Sequence, residues 1–317
     1  MKLLDVENLN LGFYCENGFK QALFDVTFSL NKGEMLALVG ESGCGKTISA
    51  MSILQLLPKN AGITSGVITF ENQDLLKLSC KELQHIRGSK IALIPQDPMT
   101  SLNPLFTVGD QLLEVLKIHQ NLKGKEAHKK AVEAFEAVQI PSAEERLKAY
   151  PHEFSGGMKQ RAIIAMALAC NAEILIADEP TTALDVTIQA QIMSLLQKIK
   201  KERGTAILLI THDLALVKEN ADNVAVMYAG RIVEKAPAKE FFENPTHPYS
   251  LALLNSLPSN REKSLETITG QPPSIQQIIE GCKFHPRCKQ CMEICTEKVP
   301  PEYQVGENHI SACFLQE

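Results

Sequence analysis

The chain lacks a stretch able to cross a bilayer: its longest mainly apolar segment, Ala162 to Ala172, falls well short of the ~18 residues that suggest a membrane span. Work at a membrane would therefore need other chains to cross it. The start, MKLLDVENLN, lacks the basic residues and unbroken apolar run of a signal peptide and carries Asp5 and Glu7 instead. It reads as a first strand of a cytosolic protein. Excess positive charge is missing too. The formal net charge is -5, whereas proteins that grip a phosphate backbone concentrate Lys and Arg, so nucleic acid is excluded as the main partner. There is no internal repeat and no low-complexity tract. What is present is ordinary globular composition, 44% apolar and 22% charged, enough to bury a sizeable core. The 317 residues suit one large unit and a smaller one at roughly 150 residues per domain.

Apolar runs at Met35 to Val39, Ile91 to Ile94, Ile174 to Ala177 and Ala206 to Ile210 each end at polar or glycine residues, as buried strands of a parallel sheet do. The first runs into a glycine-rich turn followed by ISAMSILQLL, whose spacing is helical. An α/β sheet with helices on both faces follows. Between the second and third runs the patterning is mostly helical, as in EAHKKAVEAFEAVQI and SGGMKQRAIIAMALA, which predicts a helical subdomain at about residues 97–170 inserted into the sheet. After Leu257 the composition changes. Pro258, Pro272, Pro273, Pro286, Pro300 and Pro301 break helical runs, and five of the nine cysteines crowd together. A boundary between residues 1–257 and 258–317 is expected there.

Gly40, Glu41, Ser42, Gly43, Cys44, Gly45, Lys46 and Thr47 fit G-x-x-x-x-G-K-[ST] between an expected strand and helix. Glycines let the backbone curl so that its N–H groups converge on phosphate oxygens, with the positive end of the following helix aimed at the same point. Lys46 is placed to reach β- and γ-phosphates, and the Thr47 hydroxyl to bind Mg²⁺. Cys44 lies inside this loop, a position open to alkylation. The loop alone allows a kinase, a GTPase or an ATPase. Ile174 to Glu179 adds an apolar strand ending in two carboxylates: Asp178 suits the Mg²⁺ shell and Glu179 the attacking water. Ser155, Gly156 and Gly157 open a long helical stretch and form a second anion site. Either they complete the ATP site of another subunit, or Ser155 is an ordinary helix cap. A small-molecule kinase would have no use for them.

The phosphate loop, Gln96, FSGGMKQR, ILIADEP, Leu184 with Asp185, and His212 together resemble the ABC ATPase family. The resemblance implies a P-loop NTPase core with an inserted helical subdomain, binding ATP and Mg²⁺ and hydrolysing ATP. It makes Gln96 the glutamine that links Mg²⁺ and γ-phosphate to the helical subdomain. Asp185 becomes a residue of the dimer seam and His212 the switch histidine. Phe13 falls at the place of the aromatic that stacks on adenine, with Tyr14 as the neighbouring register. Phe154 and Met158 depart from the commonest signature but leave Ser-Gly-Gly intact. Glu179, His212 and Gln96 are then the catalytic set, and Thr47, Gln96 and Asp178 the Mg²⁺ set. Catalysis is positioning plus electrostatic stabilisation, since phosphoryl transfer leaves a protein little covalent work.

QDPMTSLNP from Gln96, HPYSLALLNSLP from His247 and the cysteine tail narrow the resemblance to the D-type ATPases of dipeptide/oligopeptide and nickel importers, over essentially the whole chain. The implied partners are a second, homologous ATPase in a heterodimer, two membrane permeases and an extracytoplasmic binding protein. The chain itself is expected as a peripheral subunit on the cytoplasmic face. The alternatives for function are an importer of nickel or another small solute, or a soluble ABC ATPase outside transport. The last would usually carry two cassettes or a long coiled coil. The tail reads Cys282-x5-Cys288-x2-Cys291-x3-Cys295-x17-Cys313, and four thiolates suit tetrahedral zinc or a [4Fe–4S] cluster. The family pattern falls on Cys282, Cys288, Cys295 and Cys313 and implies the cluster, with Zn²⁺ as the alternative and Cys291 outside the set. A metal-free tail this short and proline-broken is expected to have little core of its own.

Overall fold

A computed structural model describes residues 2–16, 18–181, 184–256, 268–277 and 279–317. The boundary expected at residue 257 lies outside the described residues. The chain divides into two compact units, residues 1–77 with 210–317, and residues 78–209.

The first unit opens with two long strands, β1 (Lys2–Cys15) and β2 (Gly18–Asn31), then β3 (Met35–Val39), α1 (Lys46–Ile53), β4 (Ala61–Phe70) and β5 (Gln73–Asp74). Sequence periodicity marked β3 because a strand covered on both faces reads as a continuous apolar run, and all five of its residues are buried. Apart from the first strand expected at the chain start, the sequence did not mark the antiparallel sheet of order β2-β1-β4-β5. Those strands mix buried and exposed positions and carry several Asn and Gly residues, so no apolar run identifies them.

The second unit contains α2 (Cys80–Ile86), β6 (Ile91–Ile94), α3 (Pro98–Ser101), α4 (Val108–Gln120), α5 (Gly124–Ala137), α6 (Ala143–Arg146), α7 (Gly156–Ala169), β7 (Ile174–Asp178) and α8 (Val186–Arg203). β8 (Ala206–Thr211) crosses its border, with Ile210 and Thr211 in the first unit. β6 pairs with β7 in parallel. The segment between them is helical, as expected, and its helices bury apolar faces on one another through Leu112, Leu116, Ala131 and Phe135.

The chain returns to the first unit with α9 (Leu214–Asn220), β9 (Asn223–Tyr228), β10 (Arg231–Pro237), α10 (Ala238–Glu243), α11 (Pro248–Asn255), α12 (Glu293–Glu297), β11 (Tyr303–Gly306) and β12 (His309–Ser311). β3 and β9 pair in parallel, but β10 joins β9 antiparallel, and β12 joins β10 with Glu234 opposite Ser311. The sheet is therefore mixed rather than parallel throughout. The tail also does not depend on a core of its own. Phe284 is buried with its ring 5.2 Å from Tyr228 and 5.3 Å from Tyr249. The buried Glu234 accepts from the backbone N–H of Thr246 and of His247, both at 2.9 Å, and lies 2.8 Å from His309 Nε2. Among the described residues no helix is long and apolar enough to cross a membrane.

Candidate active site

The phosphate loop leaves β3 at Gly40 and enters α1 at Lys46, as the strand–loop–helix pattern requires. Gly40 has φ 148°, and a Cβ there would run into the Met227 carbonyl oxygen, so only glycine lets β9 pass this close. Lys46 is buried. Its Nζ donates to the carbonyl oxygens of Gly40 at 2.7 Å and Glu41 at 2.9 Å, so the ammonium is held within the loop. The Glu41 N–H is not free for phosphate, since it donates to the Tyr249 hydroxyl at 3.0 Å. Cys44, which sequence left open to alkylation, is buried, and burial pushes its thiol up. Less thiolate means less reactivity.

In the second unit β7 delivers Asp178 buried and Glu179 half-buried. Glu179 adopts φ 45°, a left-handed conformation that costs a non-glycine residue on the order of 1–3 kcal/mol. The strained turn brings Glu179 Oε2 to 3.2 Å from Gln96 Nε2, the donor in this pair. Two of the three expected catalytic side chains are thus in contact across 83 residues of sequence. The segment after them is held by Gln160, whose buried side chain donates to the Pro180 carbonyl at 2.8 Å.

Ser155 caps α7, its hydroxyl accepting from the Met158 N–H at 3.3 Å. Phe154, the unusual signature residue, is buried edge-on to Phe135 with centroids 6.4 Å apart. Gly156 behaves differently from Gly40: an added Cβ would meet nothing within 4 Å. Its φ is not positive, and alanine is the better helix former. Among the described residues, neither packing nor conformation accounts for that glycine. Asp185 caps α8, accepting from the Ile188 N–H at 2.9 Å.

In the first unit His212 is exposed immediately after β8. Phe13 is half-buried in β1, whereas the neighbouring Tyr14 is 64% exposed and sits edge-on to Phe19 at 5.2 Å.

Cys282, Cys288, Cys295 and Cys313 line one small enclosed cavity together with Phe284 and His247. Burial pushes the Cys282 thiol up to about 11, and the neighbouring Cys295, Cys313 and Cys288 add to the shift. Burial likewise raises Cys288 and Cys313. Cys291 is exposed and does not line the cavity; its thiol donates to the Met292 carbonyl and also lies beside Cys295. Among the described residues no three His, Cys, Asp or Glu side chains converge closely enough to hold a single metal ion.

Sequence reasoning passed over Arg287, Tyr228 and Tyr249, which contact Glu41 or one another around the phosphate loop. The only signals were Tyr249 in the HPYSLALL stretch and Arg287 beside Cys288.

The ABC transporter family matches residues 23–182, and the oligopeptide/dipeptide transporter C-terminal region matches residues 233–295. The probable peptide ABC transporter ATP-binding protein y4tR of Sinorhizobium fredii is 50% identical, covering 98% of this chain and 94% of its own. The oligopeptide transport ATP-binding protein OppD of Escherichia coli is 48% identical over 98% of this chain and 93% of its own. Among solved structures, the dimeric ATP-binding cassette MJ0796 in a post-hydrolysis state with ADP and Pi aligns with TM-score 0.68 at 27% identity. That alignment covers 74% of this chain and 99% of the other. With the phosphate loop, the carboxylate-ended strand and the Ser-Gly-Gly cap all in family order, the chain belongs to the ABC transporter family, among ATP-binding proteins that carry the oligopeptide/dipeptide transporter C-terminal region.

Proposed function

We propose that this chain is the ATP-hydrolysing subunit of a peptide importer. The observation that carries the hydrolysis reading is the contact of Gln96 with Glu179 beside the buried Asp178. Lys46 would pair with the β- and γ-phosphates in place of its two carbonyl partners, and Thr47, Asp178 and Gln96 are the residues that would hold Mg²⁺, which would neutralise phosphate charge. Glu179 orients the attacking water and accepts its proton. His212 donates to the γ-phosphate and keeps that water in line. Phe13, or Tyr14 in the neighbouring register, stacks on adenine.

Ser155, Gly156 and Gly157 serve the ATP of a second, homologous ATPase subunit. Support comes from Gly156, whose bare backbone faces open space and leaves room for a phosphate brought by a partner. Asp185 lies at the same seam. Ser155→Arg should cost this chain only the cap, about 1 kcal/mol, and leave its own ATP affinity unchanged. Hydrolysis in the assembled complex should fall at least ~10-fold. Equal loss of ATP binding in the isolated chain would instead give Ser155 a purely local role.

Two permeases cross the membrane, an extracytoplasmic binding protein delivers the cargo, and this chain works on the cytoplasmic face. Peptide is favoured by the functions of relatives about half identical along 98% of the chain, with nickel or another small solute as the alternative. The test is the complex in vesicles with ATP inside. Peptide bound to its delivery protein should stimulate hydrolysis and enter; stimulation by a nickel chelate and not by peptide would overturn the cargo.

Cys282, Cys288, Cys295 and Cys313 are proposed to hold a [4Fe–4S] cluster, an electron-transfer or structural group, with Zn²⁺ as the alternative. Four thiols on one cavity and Cys291 outside it match that donor set.

A further inference from the structure

We infer that Arg287 of the C-terminal region is a positioning residue for the phosphate loop, acting through Glu41 and so setting ATP affinity from outside the nucleotide-binding motifs. The inference rests on the loop being the ATP site.

Glu41, the second residue of the loop, is gripped at both ends. Its carboxylate accepts from two nitrogens of Arg287, Oε2 from Nη1 at 2.6 Å and Oε1 from Nη2 at 3.0 Å, the bidentate arrangement that is among the strongest of side-chain pairs. Its backbone N–H donates to Tyr249. Arg287 has little freedom to move. Nε donates to the Thr269 carbonyl at 3.0 Å, Nη2 also to the Gly270 carbonyl at 3.2 Å, and Nη1 also to the Tyr228 hydroxyl at 3.3 Å. The arginine side chain is only 6% exposed and that of Glu41 24%, so salt screens the pair weakly. The carbonyl of the same Glu41 accepts from Lys46 Nζ. Arg287, Glu41 and Lys46 therefore form one continuous line of polar contacts from the C-terminal region to the phosphate-binding lysine.

Two consequences follow for ATP. A loop that binds through converging N–H groups gains affinity when its backbone is set beforehand. Moreover, Glu41 places a carboxylate inside an anion site, where its charge opposes phosphate unless it is neutralised. Arg287 supplies both the fixed geometry and the neutralising charge. Removing the arginine alone leaves a partly buried, unpaired negative charge in the loop; removing both members takes that charge away as well.

The test is equilibrium binding of a fluorescent ATP analogue with Mg²⁺ to the full chain, with thermal unfolding recorded on each variant. Arg287→Gln should weaken binding at least ~10-fold, the scale for unpairing a buried charge. The double variant Glu41→Gln with Arg287→Gln should recover most of that loss. Arg287→Lys, which keeps the charge and packs with less disturbance, should fall between wild type and Arg287→Gln, and it carries the test if Arg287→Gln does not fold. A structural role of the tail alone predicts the opposite pattern, with the double variant no better than Arg287→Gln. That result overturns the inference, as does wild-type affinity in Arg287→Gln or, where it stands in, in Arg287→Lys. Lys46→Ala separates the two levels: if it too binds ATP normally, the ATP reading of the loop fails; if it loses ATP while Arg287→Gln does not, only the present inference fails.

Discussion

Glu179→Gln should leave MgATP bound and lower turnover in the assembled complex by at least ~10²-fold, the scale of a lost general base. The substitution is close to isosteric, so the half-buried turn after β7 and its left-handed φ can persist. The amide oxygen can still accept from Gln96 in place of Oε2. What disappears is the negative charge that orients water and takes its proton. The phosphate contacts assigned to Lys46 and the loop involve different atoms and are untouched. ATP affinity by equilibrium titration should therefore match wild type while phosphate release nearly stops. Near-normal hydrolysis would remove Glu179 from the catalytic role.

The parts legible in the sequence share a physical reason. β3, β6, β7 and β8 are buried on both faces, and a strand with no solvent face must be continuously apolar; the runs expected at Met35, Ile91, Ile174 and Ala206 match their starts. The phosphate loop was legible because few residue types tolerate its backbone, as Gly40 illustrates against the Met227 carbonyl. β1 pairs antiparallel with both β2 and β4, and all three keep polar positions, so single-strand periodicity blurs. The pairing of β12 with β10 joins residues 75 or more apart in sequence, which no local pattern encodes. Arg287 was missed for a related reason. Its partner Glu41 lies 246 residues away, and an arginine in a Cys-rich tail gives no local sign that it clasps a phosphate loop. Ser155 shows the reverse case. Its motif was plain, and among the described residues its hydroxyl caps a helix; the wider role proposed for it involves a second subunit.

Anaerobically purified protein should be brown and contain about four iron atoms per chain, as the cluster assignment requires, and Ser in place of Cys282, Cys288, Cys295 or Cys313 should each abolish colour and iron. Those four thiols line one cavity, three of them carrying raised pKa values from burial and from each other, so the neutral thiol form is favoured until a metal displaces the proton. Cys291→Ser should spare the colour, because that thiol is exposed and does not line the cavity of the other four. The fold should survive loss of any one ligand. Phe284 packs on Tyr228 and Tyr249, β12 pairs with β10, and Arg287 is fixed by the Thr269 and Gly270 carbonyls, none of which needs a metal. Nucleotide binding should accordingly persist in the Ser variants, since the Arg287 to Glu41 contact remains. Iron and zinc are measured together by elemental analysis, with absorbance near ~400 nm recorded on the same sample. One zinc per chain in colourless protein would replace the cluster with the tetrahedral ion. Loss of colour in Cys291→Ser with Cys288→Ser unaffected would move that ligand three residues along the tail.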